Sequence, residues 1–175
     1  GYAGRVSSGV FRKGDEVTVM PSGFNSKIKS IDTLEGEIEE AFAPMSVAIT
    51  LDDDIDISRG DMIVRSKNKP EAAQDLEVML CWLHNDAAKP RAKYTIRHTS
   101  NEQKAMIKEV LYKYDINTLE RKMDDKELCM NDISKVKIRT TKPLMIDSYR
   151  ENRSTGSIIL VDDATNETVA AGMIV

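Results

Sequence analysis

The sequence predicts an all-β chain folded as two β-barrels in tandem. Three observations carry that prediction. Short runs rich in β-branched and aromatic residues recur along the 175 residues with turn chemistry between them, the spacing expected of a closed barrel rather than of helices. A polar, apolar-free stretch containing proline, Ser66-Lys-Asn-Lys-Pro-Glu71, interrupts the series and reads as a linker. A composition of 41% hydrophobic and 31% charged residues belongs to a chain that buries a core, and this length suits one domain or two small ones. The expected boundaries are residues 1–66 for the first barrel, 67–73 for the linker and 74–175 for the second barrel.

In the first barrel the candidate strands are residues 3–7, 16–20, 26–33, 37–41, 46–51 and 62–64. Gly14-Asp15, Pro21-Ser-Gly23, Gly36, Pro44 and Gly60 fall between them, where turns need the conformations these residues supply. Val17-Thr-Val-Met20 followed by Pro21-Ser-Gly23 is a hairpin signal. Ile28-Lys-Ser-Ile-Asp32 alternates in the manner of a half-buried strand. Arg59-Gly-Asp61 is read as a tight turn in which Gly60 takes positive φ.

The second series runs through residues 74–83, 93–98, 105–114 and 129–140, then a terminal hairpin. Leu76, Val78, Leu80 and Trp82 alternate with Glu77, Met79 and Cys81, so one face is buried and the other partly so. Residues 116–130 leave two readings open, a helical turn capped by Asn117 or Thr118 or a strand plus loop. In the hairpin, Ile158-Ile-Leu-Val161 is a buried strand, Asp162-Asp-Ala-Thr-Asn166 the turn, and residues 168–175 the return strand, with Gly172 marking close approach of a neighbour.

Charge and cysteine usage exclude several classes. With a net charge of −4 and a pI near 5.3, the chain lacks the clustered cations that neutralise phosphates, so nucleic acid is not an expected partner. No apolar run approaches the ~20 residues of a membrane span, and the start has no signal-peptide pattern. Membrane association is therefore not expected, and a cytoplasmic location is. Cys81 and Cys129 sit among apolar neighbours in predicted strands and are expected as buried thiols rather than a disulfide.

Catalytic patterns are missing. No Gly-x-x-x-x-Gly-Lys-[Ser/Thr] occurs, so no loop is expected to cradle a nucleotide's phosphates. Asn68-Lys-Pro-Glu71 departs from a guanine-reading Asn-Lys-x-Asp at Pro70 and Glu71. The two histidines, His84 and His98, and the separated cysteines lack metal-ligand spacing. The acidic Asp52-Asp-Asp-Ile-Asp56 lacks the glycine and closing glutamate of a calcium loop. No catalytic, cofactor-binding or metal-binding residue is assigned.

The last quarter holds the densest set of hydrogen-bonding groups: Asp147-Ser-Tyr-Arg-Glu-Asn-Arg-Ser-Thr-Gly156 ahead of the hairpin. Tyr149, Arg150, Asn152, Arg153 and Thr155, with Arg139 upstream, are the candidate partner-binding residues, because Arg and Tyr are enriched at interfaces. An ordinary solvated loop is the alternative on composition.

That segment also resembles a family. Asp147-Ser-Tyr149, Asn152-Arg-Ser-Thr-Gly156, Ile158-Ile-Leu-Val-Asp162, Thr165-Asn-Glu-Thr-Val169 and Ala171-Gly-Met-Ile174 are similar to the C-terminal end of sulfate adenylyltransferase subunit 1, the GTPase subunit of two-subunit bacterial ATP sulfurylases. Gly1-Tyr-Ala-Gly-Arg-Val-Ser-Ser-Gly9 and Asp54-Ile-Asp-Ile-Ser-Arg-Gly-Asp61 resemble the second domain of elongation factor Tu-like GTPases, and Tyr112-Lys-Tyr-Asp-Ile-Asn117 a strand of the third. The resemblance covers essentially the whole chain and makes the barrels translation-factor-like. It implies that a strand ahead of Gly1 is missing from the first barrel. It implies a GTPase domain elsewhere in a parent protein that binds GTP and magnesium, so the chain by itself is not expected to be an enzyme. The implied partners are that GTPase domain and the catalytic subunit 2, which makes adenosine 5′-phosphosulfate from ATP and sulfate. The implied role is docking and coupling. The alternative is a pair of translation-factor barrels that bind aminoacyl-tRNA, which would require a basic groove with an amino-acid-sized pocket on the first barrel.

Overall fold

The computed structural model describes residues 1–175. Fifteen strands and no helix make up the chain: β1 (Tyr2–Arg5), β2 (Val10–Arg12), β3 (Glu16–Met20), β4 (Asn25–Thr33), β5 (Gly36–Ile38), β6 (Glu40–Phe42), β7 (Ser46–Leu51), β8 (Met62–Arg65), β9 (Glu71–Trp82), β10 (Lys93–His98), β11 (Asn101–Tyr114), β12 (Arg121–Lys122), β13 (Ile133–Ile146), β14 (Ser157–Val161) and β15 (Thr168–Ile174). Contacts divide them into two compact units, Gly1–Pro70 and Glu71–Val175. The turn between the units occupies residues 66–68 and β9 begins at Glu71. Residues 71–73, expected in the linker, are therefore strand, because Ala72 and Ala73 pair with Met145 and Leu144 of β13.

In the first unit the ladder runs β1-β7-β4-β3-β8, with β5 on β4 and a separate β2–β6 pair. Val17, Val19, Ile28, Ile31, Val47, Ile49 and Leu51 fill one core, each such side chain contributing about 1.5–3 kcal/mol when fully buried. Thr18, between Val17 and Val19 on β3, is also buried, its hydroxyl satisfied by Asn25 at 2.7 Å and Ser66 at 3.1 Å. The single strand expected over residues 37–41 is two strands. β5 folds back on β4 through Gly36 (φ 122), and β6 then pairs with β2, a strand of three residues too short to show a period. The turn at Gly60 has φ 102, with Asp61 N–H donating to the Ser58 carbonyl at 3.0 Å.

In the second unit the ladder closes on itself: β10-β14-β15-β9-β13-β11 and back to β10. Closure removes every edge within that ring of six strands. Eighteen buried residues form its core against nine in the first unit, as the larger of two small domains should show. Trp82 packs edge-on to Tyr94 at 5.7 Å and donates its indole N–H to the Asp86 carbonyl at 2.8 Å. Gly172 is required by close packing. An added Cβ would lie 2.4 Å from Val78 Cγ1 on β9.

The cysteines are not the buried thiols expected. Cys129 lies outside any strand and is exposed. Its N–H donates at 2.8 Å to Asp132 in a turn that is bonded to Trp82 of β9 through Asn131 and Asp132 and precedes β13 at Ile133. Cys81 is half-buried on the outer side of β9, and both thiols are free. Residues 116–130, left open between helix and strand, form the short β12 and a long loop.

Candidate functional site

The segment between β13 and β14, residues 147–156, is a built loop. Glu151 and Asn152 N–H groups both donate to the Ser148 carbonyl at 3.0 Å, and Gly156 N–H donates to the Asn152 carbonyl at 2.8 Å. Two successive turns therefore fold the segment on itself. Its ends are sewn to β15, with Tyr149 N–H donating to the Ile174 carbonyl at 2.9 Å and Ile174 N–H to the Gly156 carbonyl at 2.8 Å. Gly156 has to be glycine. A Cβ there would lie 2.4 Å from Tyr149 Cα and 2.5 Å from Tyr149 N, and backbone cannot rotate away.

Within this frame the candidate residues separate. Asn152 and Thr155 are internal ties. Asn152 Oδ1 accepts the Ser154 N–H at 3.0 Å, and the buried Thr155 donates its hydroxyl to Asp147 at 2.6 Å. Tyr149 is half-buried, while Arg150 and Arg153 are exposed. The Arg153 guanidinium lies 6.0 Å from the centre of the Tyr149 ring. Arg139 stands apart, on the outer face of β13, within 3.5 Å of Asp75 on β9. The geometry thus presents one aromatic ring and two cations on a rigid loop, with Asn152 and Thr155 holding them there.

The floor of the loop is a residue the sequence reading did not single out. His98, at the end of β10, is 1% exposed and donates from Nε2 to the Thr155 carbonyl at 2.7 Å, which places the neutral ring's proton on Nε2. Burial pushes its pKa below the ordinary histidine value, only partly countered by the Thr155 carbonyl and by Asp147. Its signal was the alternation Tyr94, Ile96, His98, which puts it in phase with two core residues.

A second loop, residues 115–132, is organised by charge. Lys113, at an inward position of β11, is 6% exposed. Its ammonium donates to Asp125 at 2.6 Å, Asp132 at 2.7 Å and the Glu127 carbonyl at 2.7 Å. Burial alone would push this ammonium's pKa down, but the two carboxylates more than offset it and the net shift is upward. Beside it, Arg121 of β12 lies 4.7 Å over the Tyr112 ring and 6.0 Å from that of Tyr114.

No group of three or more His, Cys, Asp or Glu side chains could hold a metal ion. His84 caps a turn, accepting the Asp86 N–H at 3.1 Å. The open depression on the first unit, about 720 Å³, sets Glu16, Asp52 and Asp53 against Lys27 and Lys69. It is not the basic groove an aminoacyl-tRNA site would need. No helix is long and apolar enough to cross a membrane.

Residues 75–175 match the family described as GTP-eEF1A C-terminal domain-like. The chain belongs to that family. Sulfate adenylyltransferase subunit 1 of Bacteroides fragilis is 43% identical over 175 residues, which are 100% of this chain and 37% of the relative. The bifunctional enzyme CysN/CysC of Rhodopirellula baltica is 47% identical over 174 residues, 99% of this chain and 27% of the relative. The chain therefore spans roughly a quarter to two fifths of the relatives it matches. The likeness to sulfate adenylyltransferase subunit 1 read from the sequence thus extends over the full length of this chain. The fold of the family also matches the solved structure of sup35 complexed with GDP, with a TM-score of 0.88 over 99% of this chain and 43% of that one, at 20% identity. That match carries the translation-factor-like architecture and nothing finer.

Proposed function

We propose that this chain is the paired β-barrel region of the GTP-dependent subunit of a cytoplasmic sulfate adenylyltransferase, serving sulfate assimilation as a docking and coupling module. The observation that carries the reading is the 43% identity to sulfate adenylyltransferase subunit 1 along the whole chain. On this reading the catalytic subunit 2 forms adenosine 5′-phosphosulfate, and GTP with magnesium binds in a domain of the larger protein. These residues do not fit GTP themselves, since the sequence holds no phosphate-cradling glycine-lysine loop. Their part is to present rigid surfaces and to move as bodies when nucleotide state changes. The loop at residues 147–156 supports that part, because backbone hydrogen bonds to Ile174 fix the base from which Arg150 and Arg153 project.

Calorimetric titration of the chain with the purified catalytic subunit of the same organism tests the reading. Saturable binding supports it, and absence of binding to a correctly folded chain refutes the docking role.

A further inference from the structure

Strand β11 outruns its neighbour β10. The two pair only between Lys93–His98 and Asn101–Met106, and β11 continues alone on that side to Tyr114. Over the overhang its ladder with β13 is broken twice, between Ile107 and Glu109 and between Val110 and Tyr112. Such bulges bend a strand and re-aim its side chains. Segments 88–91 and 126–128 wall the gap, tied to each other by the Ala88 N–H donating to the Leu128 carbonyl at 2.9 Å. The result is an open depression of about 620 Å³, within the range of small-molecule sites. Its floor is apolar: Val110 and Leu128 are buried in the barrel core and Ile107 is half-buried against it.

Four cations line this depression, Lys89, Arg91, Lys108 and Lys126. Elsewhere in the barrel Lys104, Lys113, Lys122, Lys135 and Lys137 each hold a carboxylate. These four hold none. The Lys126 ammonium is fixed by neutral acceptors, the Val110 and Leu111 carbonyls at 2.8 Å each, so it is positioned with its charge unmatched and one N–H to spare. Two carboxylates share the lining, Glu109 and Glu127. Glu109 faces Lys137 at 3.9 Å, which leaves Glu127 to answer four cations. Arg91 takes a φ of 58, a left-handed backbone that costs a side-chain-bearing residue energy and recurs at ligand clamps. In a chain of net charge −4, the depression is a local reversal of sign that concentrates anions.

The arrangement also tells which anion. The cations come from three separate stretches of chain, 89–91, 108 and 126, around one floor. A ring of that kind suits charge concentrated on a compact ligand, whereas an extended acidic segment suits a row. A phosphate group carries about −1.5 to −2 at neutral pH, so two of them match four cations where single carboxylates would need four. Arginine's planar fork takes phosphate in bidentate fashion and lysines add point charges. The apolar floor excludes water beneath the ligand and strengthens each of these attractions.

We propose that this depression binds a compact anion carrying two or more phosphate groups, held by Arg91, Lys89, Lys108 and Lys126. The site is independent of the docking role above, and loss of either leaves the other standing.

The test is calorimetry and backbone amide NMR of the full chain with inorganic tripolyphosphate at low salt, where screening is weak. Saturable one-to-one binding is expected, with shifts confined to residues 88–91, 107–111 and 126–128. Arg91→Ala/Lys108→Ala should weaken binding by about tenfold or more and leave the melting temperature unchanged, since neither side chain makes an internal bond. Lys27→Ala/Lys69→Ala, in the mixed-charge depression of the first unit, should change binding by less than about twofold. Unsaturable binding with shifts scattered over the surface overturns the inference. Tighter binding of hexaglutamate assigns the depression to an acidic protein segment, and tighter binding of a short oligothymidylate assigns it to nucleic acid. Either overturns it. A dimer in light scattering that Arg91→Ala/Lys108→Ala dissolves assigns the depression to a second copy. This chain is 27% to 37% of the length of the relatives compared above, so the titration is repeated on a longer form of the protein. Binding that this chain shows and the longer form lacks assigns the depression to a contact with the rest of the protein and overturns the inference.

Discussion

Two long loops leave the second barrel, and they are held by opposite means. Residues 147–156 are closed mainly by backbone hydrogen bonds, with Thr155 donating to Asp147, over a buried, uncharged histidine, with the tightest contact at Gly156. Residues 115–132 are held by ions: Lys113 between Asp125 and Asp132, and Lys122 on Asp115. The first loop gives directional, short-range order that salt hardly touches. The second relies more on charge, with Lys113 bonded to two of its carboxylates. The arginines of the first loop therefore stand on a rigid base, whereas Arg121 stands beside a base that charge can loosen.

The largest expected effect breaks the rigid loop. Gly156→Ala places a methyl group against Tyr149 backbone and should lower stability by about 3 kcal/mol, because an overpacked site with no rotamer to yield must shift the chain. Urea unfolding checks this. A change below about 1 kcal/mol would show that the loop yields and is not the rigid member of the pair.

Lys113→Met keeps the stem and removes the charge. Two carboxylates and the Glu127 carbonyl lose their common donor. Because Asp125 and Asp132 are partly exposed, the loss should be about 2 kcal/mol, below that for a fully buried pair. Amide exchange should rise at Leu119 and Asn131, which bond within and beneath this loop, and stay unchanged at Tyr149 and Gly156. Equal changes in both loops would abolish the distinction.

The smallest effect comes from mild acid, which should separate the loops without mutation. The folded pKa of His98 lies below its unfolded value, so the unfolded chain takes up the proton first. Its contribution is complete above about pH 6.5 and is lost as pH falls through the lower, folded pKa. Hydrogen bonding to Lys113 holds Asp125 below the usual carboxylate range, and Lys122 with the turn amides holds Asp115 at about 2. The charge-held loop is therefore unaffected until pH drops below about 4. Between pH 7 and 5, corrected protection factors should fall at Tyr149 and Gly156 and not at Leu119 and Asn131. The opposite order would refute the assignment.

Reading the sequence located the strands best where alternation was long and turn residues flanked it. The runs 16–20, 46–51 and 93–98 coincide with β3, β7 and β10. It failed at residues 37–41, where the chain changes sheet without losing its pattern. It failed again at Cys129, whose apolar neighbours imitate a strand although a turn to Asp132 decides the local backbone. For the candidate site, the residue types of loop 147–156 were legible but not their division of labour. Asn152 and Thr155 belong to the same polar set as Arg150 and Arg153, and only the fold shows which of them point inward.

What the sequence by itself determined is therefore the periodic and the local: strand existence, the division near Pro70, turn positions, the absence of a phosphate-cradling loop, and the family likeness over the whole chain. These follow from side-chain alternation and from backbone preferences that act over a few residues. Closure of the second barrel through β10 and β14 and the burial of His98 beneath Thr155 were decided by tertiary structure alone. Each joins residues tens of positions apart, and which ones meet is set by strand register across β9, β13 and β15, a quantity no short stretch of sequence contains.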